Sequence, residues 1–409
     1  MNRRVLIIAH HFPPSGITAS RRPGGMAKYL PQFGWEPVVL TRKWRRDNCN
    51  YDPTIVPNLQ PDLLRYEIDC RAPRGLSAAA AMDQIVRVTY PSWNPYSFFK
   101  AGRQSIDRLL QQESFDAIWT TVPHDNLLDL ARYASRVSGR PWIADFRDVW
   151  QWVPNLFTKM TLPMRLRHER LVLRSAAAIT AVSAGFAETL QERHQRHVHT
   201  ISHGFDPDLL PATALPAAFP RFNLVFTGGI VLGRPNLRPL LDALGNLITR
   251  GDVNAEDVGI EFYGAGNSAR LAEMFAGHPY EYLVVDNGAV PRVQVIERQR
   301  SAALLLSASH PGMRGWTTSK MFEYIAAGRP ILSIPHDNGC IDEMLRQTNA
   351  GTSCTSVAEI ERQLLAFYRE WQRTSTIAYH GRSEVISRYS NRSQAGELAG
   401  LLNEAVERG

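Results

Sequence analysis

The sequence has few cysteines and no long apolar run. Its four cysteines are widely spaced, at positions 49, 70, 340 and 354, with no metal-binding or redox spacing. This pattern excludes a disulfide-stapled scaffold and fits free thiols in a reducing compartment. No stretch approaches the roughly 18 to 20 apolar residues of a membrane span, and the N-terminus lacks the apolar core of a signal peptide. These features predict a cytoplasmic protein.

Size and charge indicate two different halves. A chain of 409 residues with 44% hydrophobic residues exceeds the size at which one core usually keeps growing, so two domains are expected. Residues 1–205 carry 27 Lys and Arg against 17 Asp and Glu, whereas residues 206–409 carry 19 against 22. The first half is therefore the basic one. No nucleic-acid recognition motif accompanies this charge, so nucleic acid is not an expected partner.

The most informative segment is residues 317–332, Thr-Thr-Ser-Lys-Met-Phe-Glu-Tyr-Ile-Ala-Ala-Gly-Arg-Pro-Ile-Leu. Thr318 and Ser319 are N-cap types and predict a helix start whose free N–H groups attract phosphate. Lys320 and Glu323 fall on one face of this helix, where the ammonium meets phosphate and the carboxylate accepts ribose hydroxyls. Gly328 and the following proline predict a short helix and then a strand. The structural alternative is an ordinary helix in which Lys320 and Glu323 form a weak surface ion pair.

This segment resembles the C-terminal signature of GT-B glycosyltransferases, closest to the retaining family four. In that family the glutamate of a Phe-Glu-Tyr helix holds the donor ribose, and Glu323 is the matching position. Relatives usually have a second glutamate eight residues earlier, where this chain has Gly315. The departure is similar to a subgroup with Thr-Ser-Lys before the helix. It leaves open how the donor sugar hydroxyls are held.

The first half carries two further parts of the resemblance. An apolar strand precedes the loop His-His-Phe-Pro-Pro-Ser-Gly, which ends at Gly16 and resembles the family's opening unit. In relatives this loop approaches the donor diphosphate, which implies that role for Gly16, with Ser15, Arg21 and Arg22 as neighbours. His124 follows a predicted strand and resembles the cleft histidine that lies near the donor sugar.

The sequence Ala-Asp-Phe-Arg-Asp-Val-Trp, residues 144–150, resembles a loop of the same subgroup. Asp145, Arg147 and Asp148 have two interpretations. They orient an acceptor hydroxyl, or they form a structural cluster of ion pairs, which we favour.

The second half opens with a strand and the sequence Thr-Gly-Gly-Ile-Val-Leu-Gly-Arg, residues 227–234. Typical relatives have an arginine directly after the glycine, where this chain has Ile230. Arg234 is the nearby cation that takes over, since a guanidinium forks onto phosphate oxygens. The resemblance also places Gly229 against the donor.

Two turns lie between these segments. The turn containing Gly264 and Gly266, with Asp286 at a distance, mimics a dinucleotide-binding fingerprint and alone favours a dehydrogenase. Its place as the second step of the C-terminal half favours the transferase. Asn287 and Gly288 sit where relatives contact the nucleotide base through backbone groups.

The expected fold class is α/β of the GT-B type, with two doubly wound Rossmann-like domains facing across a cleft. Residues 1–205 form the predicted acceptor-side domain, residues 206–221 the linker and residues 222–383 the nucleotide-sugar-binding domain. The resemblance implies that residues 384–409 cross back to the first domain.

The resemblance implies transfer of a sugar from a nucleotide diphosphate sugar, with UDP expected, to a hydroxyl of a saccharide or lipid-linked acceptor. It implies retention of configuration and a setting in polysaccharide or glycoconjugate biosynthesis. No metal or other cofactor is required, since Lys320, Arg234 and the helix terminus stabilise the leaving group. A nucleotide-sugar 2-epimerase and a non-catalytic GT-B subunit are the alternatives. Residues 42–46 and the aromatic run 93–100 are a candidate contact with an anionic membrane surface, with solvated loops as the other interpretation.

Overall fold

The computed structural model describes residues 2–48, 51–69, 77–89, 96–122, 126–149, 156–210, 220–230, 236–264, 266 and 268–408. The chain divides into two units. The first consists of residues 1–203 together with 391–409, and the second of residues 204–390.

The first unit is built on a seven-stranded parallel sheet with the order β3-β2-β1-β4-β5-β6-β7. Its strands are β1 (Arg3–Ala9), β2 (Trp35–Arg42), β3 (Leu64–Ile68), β4 (Ala117–Val122), β5 (Trp142–Phe146), β6 (Ala178–Ala181) and β7 (His199–Thr200). The central strands β4 and β5 are buried along their whole length, as expected for a sheet covered on both faces. The strand order reverses between β1 and β4, and α/β sheets bind ligands outside the carboxyl ends of the strands at such a point.

The helices up to the end of the first sheet are α1 (Arg21–Tyr29), α2 (Ala78–Thr89), α3 (Tyr96–Gln112), α4 (Asn126–Ser138), α5 (Leu156–Leu173) and α6 (Ala184–His194). Helix α6 begins at a capped end, because the side chain of Ser183 accepts a hydrogen bond from the Phe186 N–H at 3.2 Å. It ends at Gln195, which adopts a left-handed conformation.

The second unit repeats this winding on a six-stranded parallel sheet with the order β10-β9-β8-β11-β12-β13. Its strands are β8 (Phe222–Thr227), β9 (Val258–Tyr263), β10 (Val284–Asp286), β11 (Leu304–Ala308), β12 (Ile331–Ile334) and β13 (Gly351–Ser353). Its helices are α7 (Arg238–Thr249), α8 (Ser268–Phe275), α9 (Arg292–Arg300), α10 (Ser319–Ala326), α11 (Cys340–Thr348), α12 (Val357–Thr374) and α13 (Ser383–Ile386). Here the order reverses between β8 and β11.

The last helix, α14 (Asn391–Arg408), belongs to the first unit. Its side chains Leu398 and Leu402 are fully buried in the same core cluster as Met26 and Leu30. The chain therefore returns to the first unit after Ser390, seven residues later than the boundary expected from the sequence.

The expected short helix of the second unit is confirmed. Helix α10 begins at Ser319, after Thr318 in an extended conformation, although the Thr318 side chain makes no capping hydrogen bond. Gly328 follows the helix with a φ of 75°, and β12 then starts at Ile331.

Two aromatic side chains of the proposed membrane patch, Trp44 and Phe98, are buried, whereas Tyr96 is 38% exposed. Trp44 is 8% exposed and stacks on His11 with ring centroids 5.4 Å apart. Phe98 is 2% exposed, and residues 93–95 lie outside the described residues. Trp44 and Phe98 are core residues of the first unit and are not anchors for a lipid surface. Within the described part of the chain, no helix has the length and apolar character that crossing a bilayer requires.

Candidate functional site

The candidate site of the second unit lies at the carboxyl edge of its sheet, where β8 ends. Gly228 follows this strand with a φ of 94°, a conformation that side chains disfavour, and donates its N–H to the Tyr263 carbonyl at 2.7 Å. Gly228 and Gly229 are both exposed. Two adjacent glycines thus leave the backbone open at the point where the strand order reverses.

Lys320, in the first turn of α10, lies next to this glycine turn. Its Nζ atom is 3.6 Å from the centroid of the Phe226 ring, and a Cβ atom on Gly228 would lie 3.7 Å from the same Nζ. Burial lowers the pKa of Lys320 to about 7, against the opposing effect of the Glu323 carboxylate. The ammonium is therefore only partly protonated at neutral pH, and an anion placed beside it would favour the charged form.

Glu323 does not pair with Lys320 as the structural alternative required. Its two carboxylate oxygens accept a forked pair of bonds from Arg292, at 2.8 and 2.5 Å, and a further bond from Gln299 at 3.2 Å. The side chains of Arg292 and Glu323 are 20% and 11% exposed. This arrangement fixes the carboxylate at the face of α10 that carries Lys320.

Tyr324 joins α10 to β8. Its hydroxyl accepts the Thr227 N–H at 2.7 Å, and Thr227 Oγ1 in turn accepts a bond from Gln299 at 3.0 Å. Burial raises the pKa of Tyr324, so the hydroxyl stays neutral. These hydrogen bonds connect the end of β8 with the helices α10 and α9.

The turns after β9 and β10 are joined by a bond from Gly264 N–H to the Gly288 carbonyl at 2.8 Å. The carboxylate of Asp286 accepts the Ser268 hydroxyl at 2.5 Å and the Gly288 N–H at 3.0 Å. Asp286 thus stabilises its own turn and the start of α8. This structural role explains an acidic residue at this position without requiring a bound dinucleotide. Asn287 donates its N–H to the carbonyl of Phe262 in β9 at 2.8 Å.

Ile230 is 3% exposed and belongs to the core of the second unit. The position that holds an arginine in typical relatives is therefore a packing position here. Arg234 and His124 lie outside the described residues.

In the first unit, Asp145 forms a buried ion pair. Arg22 donates two bonds to its carboxylate, at 2.8 and 2.7 Å, and Thr180 donates a third at 2.6 Å. The side chains of Arg22 and Asp145 are 3% and 0% exposed. Burial opposes ionisation of Asp145, but the Arg22 guanidinium outweighs it and holds the pKa below the usual range. This geometry favours the structural interpretation for Asp145.

Arg147 and His203 adjoin this ion pair. Arg147 donates to the carbonyls of Ala19 and Val122, and burial lowers its pKa to about 10. Burial, Arg22 and Arg147 together lower the pKa of His203 to about 3, so this imidazole is neutral at physiological pH. Asp148 is exposed at the surface, but burial raises the pKa of its carboxyl against the opposing effect of Arg147.

In the loop before α1, Gly16 and its predicted neighbours Ser15 and Arg22 have different environments. Gly16 is exposed, whereas Ser15 is fully buried and bridges to Tyr51. The Arg22 guanidinium is hydrogen-bonded to Asp145, so it does not accompany Gly16 at the exposed surface of the loop.

Arg292 and Gln299 are the site residues that sequence reasoning missed. They lie seven positions apart on α9 and therefore on one face of that helix. This spacing, close after the turn at Asn287 and Gly288, was the available signal. Among the described residues, no group of His, Cys, Asp and Glu side chains has a geometry suited to a metal ion.

Both units match families of known glycosyltransferases. Residues 21–209 match the model of Glycosyltransferase Family 4. Residues 250–400 match the Glycosyl transferase-like model. No curated protein sequence matches the chain.

Solved structures of the same fold cover nearly the whole chain. The Anabaena protein HepE, in complex with UDP and glucose, has 15% identity and a TM-score of 0.65, covering 98% of this chain and all of its own. The sucrose-phosphate synthase of Thermosynechococcus elongatus has 12% identity and a TM-score of 0.68, with both chains fully covered. TarM of S. aureus, in a complex that includes UDP, has 8% identity and a TM-score of 0.64, covering 98% of this chain and all of its own.

These likenesses establish the GT-B fold. Together with the family matches they define a glycosyltransferase of the GT-B type.

Proposed function

We propose that the protein transfers a sugar from a UDP-sugar to a hydroxyl of a saccharide or lipid-linked acceptor. One observation carries this proposal: Lys320 and the start of α10 lie beside the exposed Gly228 turn, where the strand order of the second sheet reverses. A cation, a helix N-terminus and an open backbone are the elements that bind a diphosphate. The UDP complexes of HepE and TarM support UDP as the nucleotide.

In this reaction the acceptor oxygen bonds to the anomeric carbon, and the bond from that carbon to the β-phosphate oxygen breaks. The electron pair leaves with UDP, and the departing phosphate takes the acceptor proton. Lys320 and the positive end of α10 stabilise the charge that develops on the leaving group. Arg234 is proposed to add a guanidinium to the diphosphate, and His124 to lie against the donor sugar. The Family 4 match supports retention of configuration.

The donor contacts are assigned as follows. Glu323 accepts the ribose hydroxyls, and the turn at Asn287 and Gly288 meets the base through its backbone. The remaining proposed contacts to the diphosphate are Gly16, Gly229, Thr318 and Ser319. Acceptor binding is proposed for the first unit, with the exposed Asp148 as the carboxylate open to an acceptor and with Asp145 and Arg147 supporting its loop.

We place the protein in polysaccharide or glycoconjugate biosynthesis, at the cytoplasmic face of a membrane. Helix α5 supports membrane contact better than the buried Trp44 does. Three of its apolar side chains, Met160, Met164 and Leu171, are 72%, 47% and 44% exposed. The exposed cations Lys159, Arg167, Arg170 and Arg174 lie among them.

The spacing of these residues places them on one face of the helix, and no exposed acid occurs between positions 159 and 174, all of which the structure describes. An apolar stripe bordered by cations alone complements anionic lipid headgroups.

A thermal-shift panel of UDP, GDP, dTDP and ADP, on the wild type and on Glu323→Ala, tests the donor site. A ligand at about a hundred times its dissociation constant adds roughly 2.7 kcal/mol to the free energy of unfolding. We expect UDP to stabilise the wild type and to lose this effect in the variant. If no nucleotide stabilises the wild type, the transferase proposal fails and the non-catalytic subunit is favoured.

Product analysis separates the two enzyme classes. Transfer to an acceptor releases UDP and a glycoside, whereas a 2-epimerase changes the sugar without an acceptor. A GT-B neighbour of 10% identity, from Listeria monocytogenes, is itself described as a putative UDP-N-acetylglucosamine 2-epimerase. An inverted C2 centre in a sugar incubated without acceptor would favour that class.

A further inference from the structure

The group proposed to bind the donor ribose already has partners in this structure. The Glu323 carboxylate accepts two N–H bonds from Arg292 and one from Gln299. A carboxylate offers about four acceptor positions, and these three bonds already fill most of them. A ribose that donates two hydroxyls to Glu323 must therefore displace at least one of these N–H donors.

Arg292 is the donor that most readily moves. Gln299 is 2% exposed and also bonded to Thr227, whereas the side chain of Arg292 is 20% exposed and begins α9. Displacing Arg292 alone would leave a partly buried guanidinium without a counter-ion, which is costly. The incoming donor brings its own anion, the diphosphate.

A chain of hydrogen bonds connects Arg292 with the glycine turn at the proposed diphosphate position. Glu323 is linked through Gln299 to Thr227, and the next residue, Gly228, lies against Lys320. Ile230, at the position of the relatives' arginine, is buried in the core and supplies no cation to this turn. Lys320 is only partly protonated at neutral pH. Arg292 is linked to this turn through Glu323 and Gln299, and its guanidinium would add to the charge of the partly protonated Lys320.

We propose that Arg292 exchanges partners when the donor binds. The ribose hydroxyls take its place on Glu323, and the released guanidinium pairs with the diphosphate. Both charged groups stay paired before and after the exchange, so neither is left uncompensated. This inference rests on the proposed function, because it requires a nucleotide diphosphate in the site of the second unit.

A fixed role is the competing interpretation: Arg292 holds Glu323 in position and never touches the nucleotide. The two roles differ in their effect on a ligand without phosphates. If Arg292 only holds Glu323, its loss weakens uridine and UDP alike. If Arg292 exchanges, its loss frees Glu323 for the ribose but removes the diphosphate contact, so only UDP binds more weakly.

The test measures UDP by isothermal titration and uridine by competition against UDP. The proteins are the wild type, Arg292→Gln, and Arg298→Gln as a matched control, since Arg298 is an exposed arginine of the same helix. We expect Arg292→Gln to lower the ratio of UDP affinity to uridine affinity by about tenfold or more, since a charge-assisted bond is lost. Uridine affinity should stay equal or rise, and Arg298→Gln should leave both affinities near wild type.

An unchanged ratio in folded Arg292→Gln overturns the exchange and leaves the donor site standing. A wild type that binds no UDP overturns both proposals. Thermal unfolding monitored by circular dichroism establishes that the variant is folded. If it is not folded, Arg292→Lys replaces it, because a lysine keeps the charge without the forked geometry. Exchange then predicts a smaller fall in the ratio of UDP affinity to uridine affinity. A fixed role predicts equal losses of affinity for both ligands.

Discussion

The Nζ atom of Lys320 lies 3.6 Å from the centroid of the Phe226 ring, at the end of β8. The ring faces a cation whose pKa burial lowers to about 7, with Glu323 acting in the opposite direction. An aromatic face attracts the charged form of a lysine, but the loss of water opposes that form. The result is an ammonium that is held at the edge of the sheet with a pKa near neutrality.

This pKa predicts the pH dependence of nucleotide binding. A diphosphate beside Lys320 favours the protonated form and raises its pKa in the complex, so binding takes up a proton above pH 7. UDP affinity should therefore fall as the pH rises. Between pH 7 and 9 the fall should reach about fiftyfold, provided that the pKa in the complex exceeds 9. Isothermal titration at a series of pH values measures this dependence.

Two variants of Lys320 serve as controls for that experiment. Lys320→Met should bind UDP more weakly at pH 7 and show little change up to pH 9. Lys320→Arg stays charged throughout the window and should show the same flat profile. A wild-type affinity that does not change between pH 7 and 9 would contradict a diphosphate contact by Lys320.

The same lysine should reduce the stability of the unliganded protein. Its pKa in the folded protein lies below the unfolded value of about 10.4, so the unfolded chain binds more protons between pH 7 and 10. Stability from this group therefore rises with pH across that window. Lys320→Met should raise the free energy of unfolding at pH 7 by about 0.5–2 kcal/mol. The difference should shrink towards pH 10, and urea unfolding at both pH values measures it. A difference that stays constant would contradict a lowered pKa of Lys320 in the folded protein.

Helix α10 was predictable because its signals are local. The N-cap residues, the glycine at 328 and the proline at 330 all fall within one segment. Its ion pair was not, because Arg292 and Glu323 are 31 positions apart and meet only when α9 and α10 pack side by side. The surface pair of Lys320 and Glu323, the structural alternative drawn from the sequence, is replaced by this tertiary contact.

The proposed membrane patch of residues 42–46 also shows that local sequence does not predict tertiary contacts. Arginines around a tryptophan are typical of an interfacial segment, yet Trp44 is buried against His11 while Arg42 lies 5.3 Å from the tryptophan ring. Local composition does not report burial. The exposed face of α5 carries fewer aromatic residues and gave no such signal, because its apolar residues are mostly methionines that equally suit a core.

The buried pair of Arg22 and Asp145 should be a major determinant of stability in the first unit. Asp145→Asn leaves the guanidinium without a counter-ion and should cost about 3–5 kcal/mol. Because the pKa of Asp145 is held below its usual range, the wild type should also lose this contribution as the pH falls through that lowered pKa. Urea unfolding measures both effects.

Thr180→Val is the matched control for Asp145→Asn, because it removes one neutral donor from the same carboxylate. It should cost only about 1 kcal/mol. UDP binding should survive in Asp145→Asn at a temperature where the variant is folded. A variant with full stability but lost acceptor transfer would instead assign Asp145 to the acceptor site.

The exposed face of α5 predicts binding to anionic vesicles that depends on its arginines. Arg167→Gln with Arg170→Gln removes two cations, worth about 1 kcal/mol each near an anionic surface, and should weaken binding roughly thirtyfold. Sedimentation with phosphatidylglycerol vesicles measures this loss, and zwitterionic phosphatidylcholine vesicles should bind little of either protein. Arg362→Gln with Arg373→Gln removes the same charge from exposed positions of α12 and should have little effect. Equal losses in the two double variants would mean that net charge, and not this face, governs the attraction.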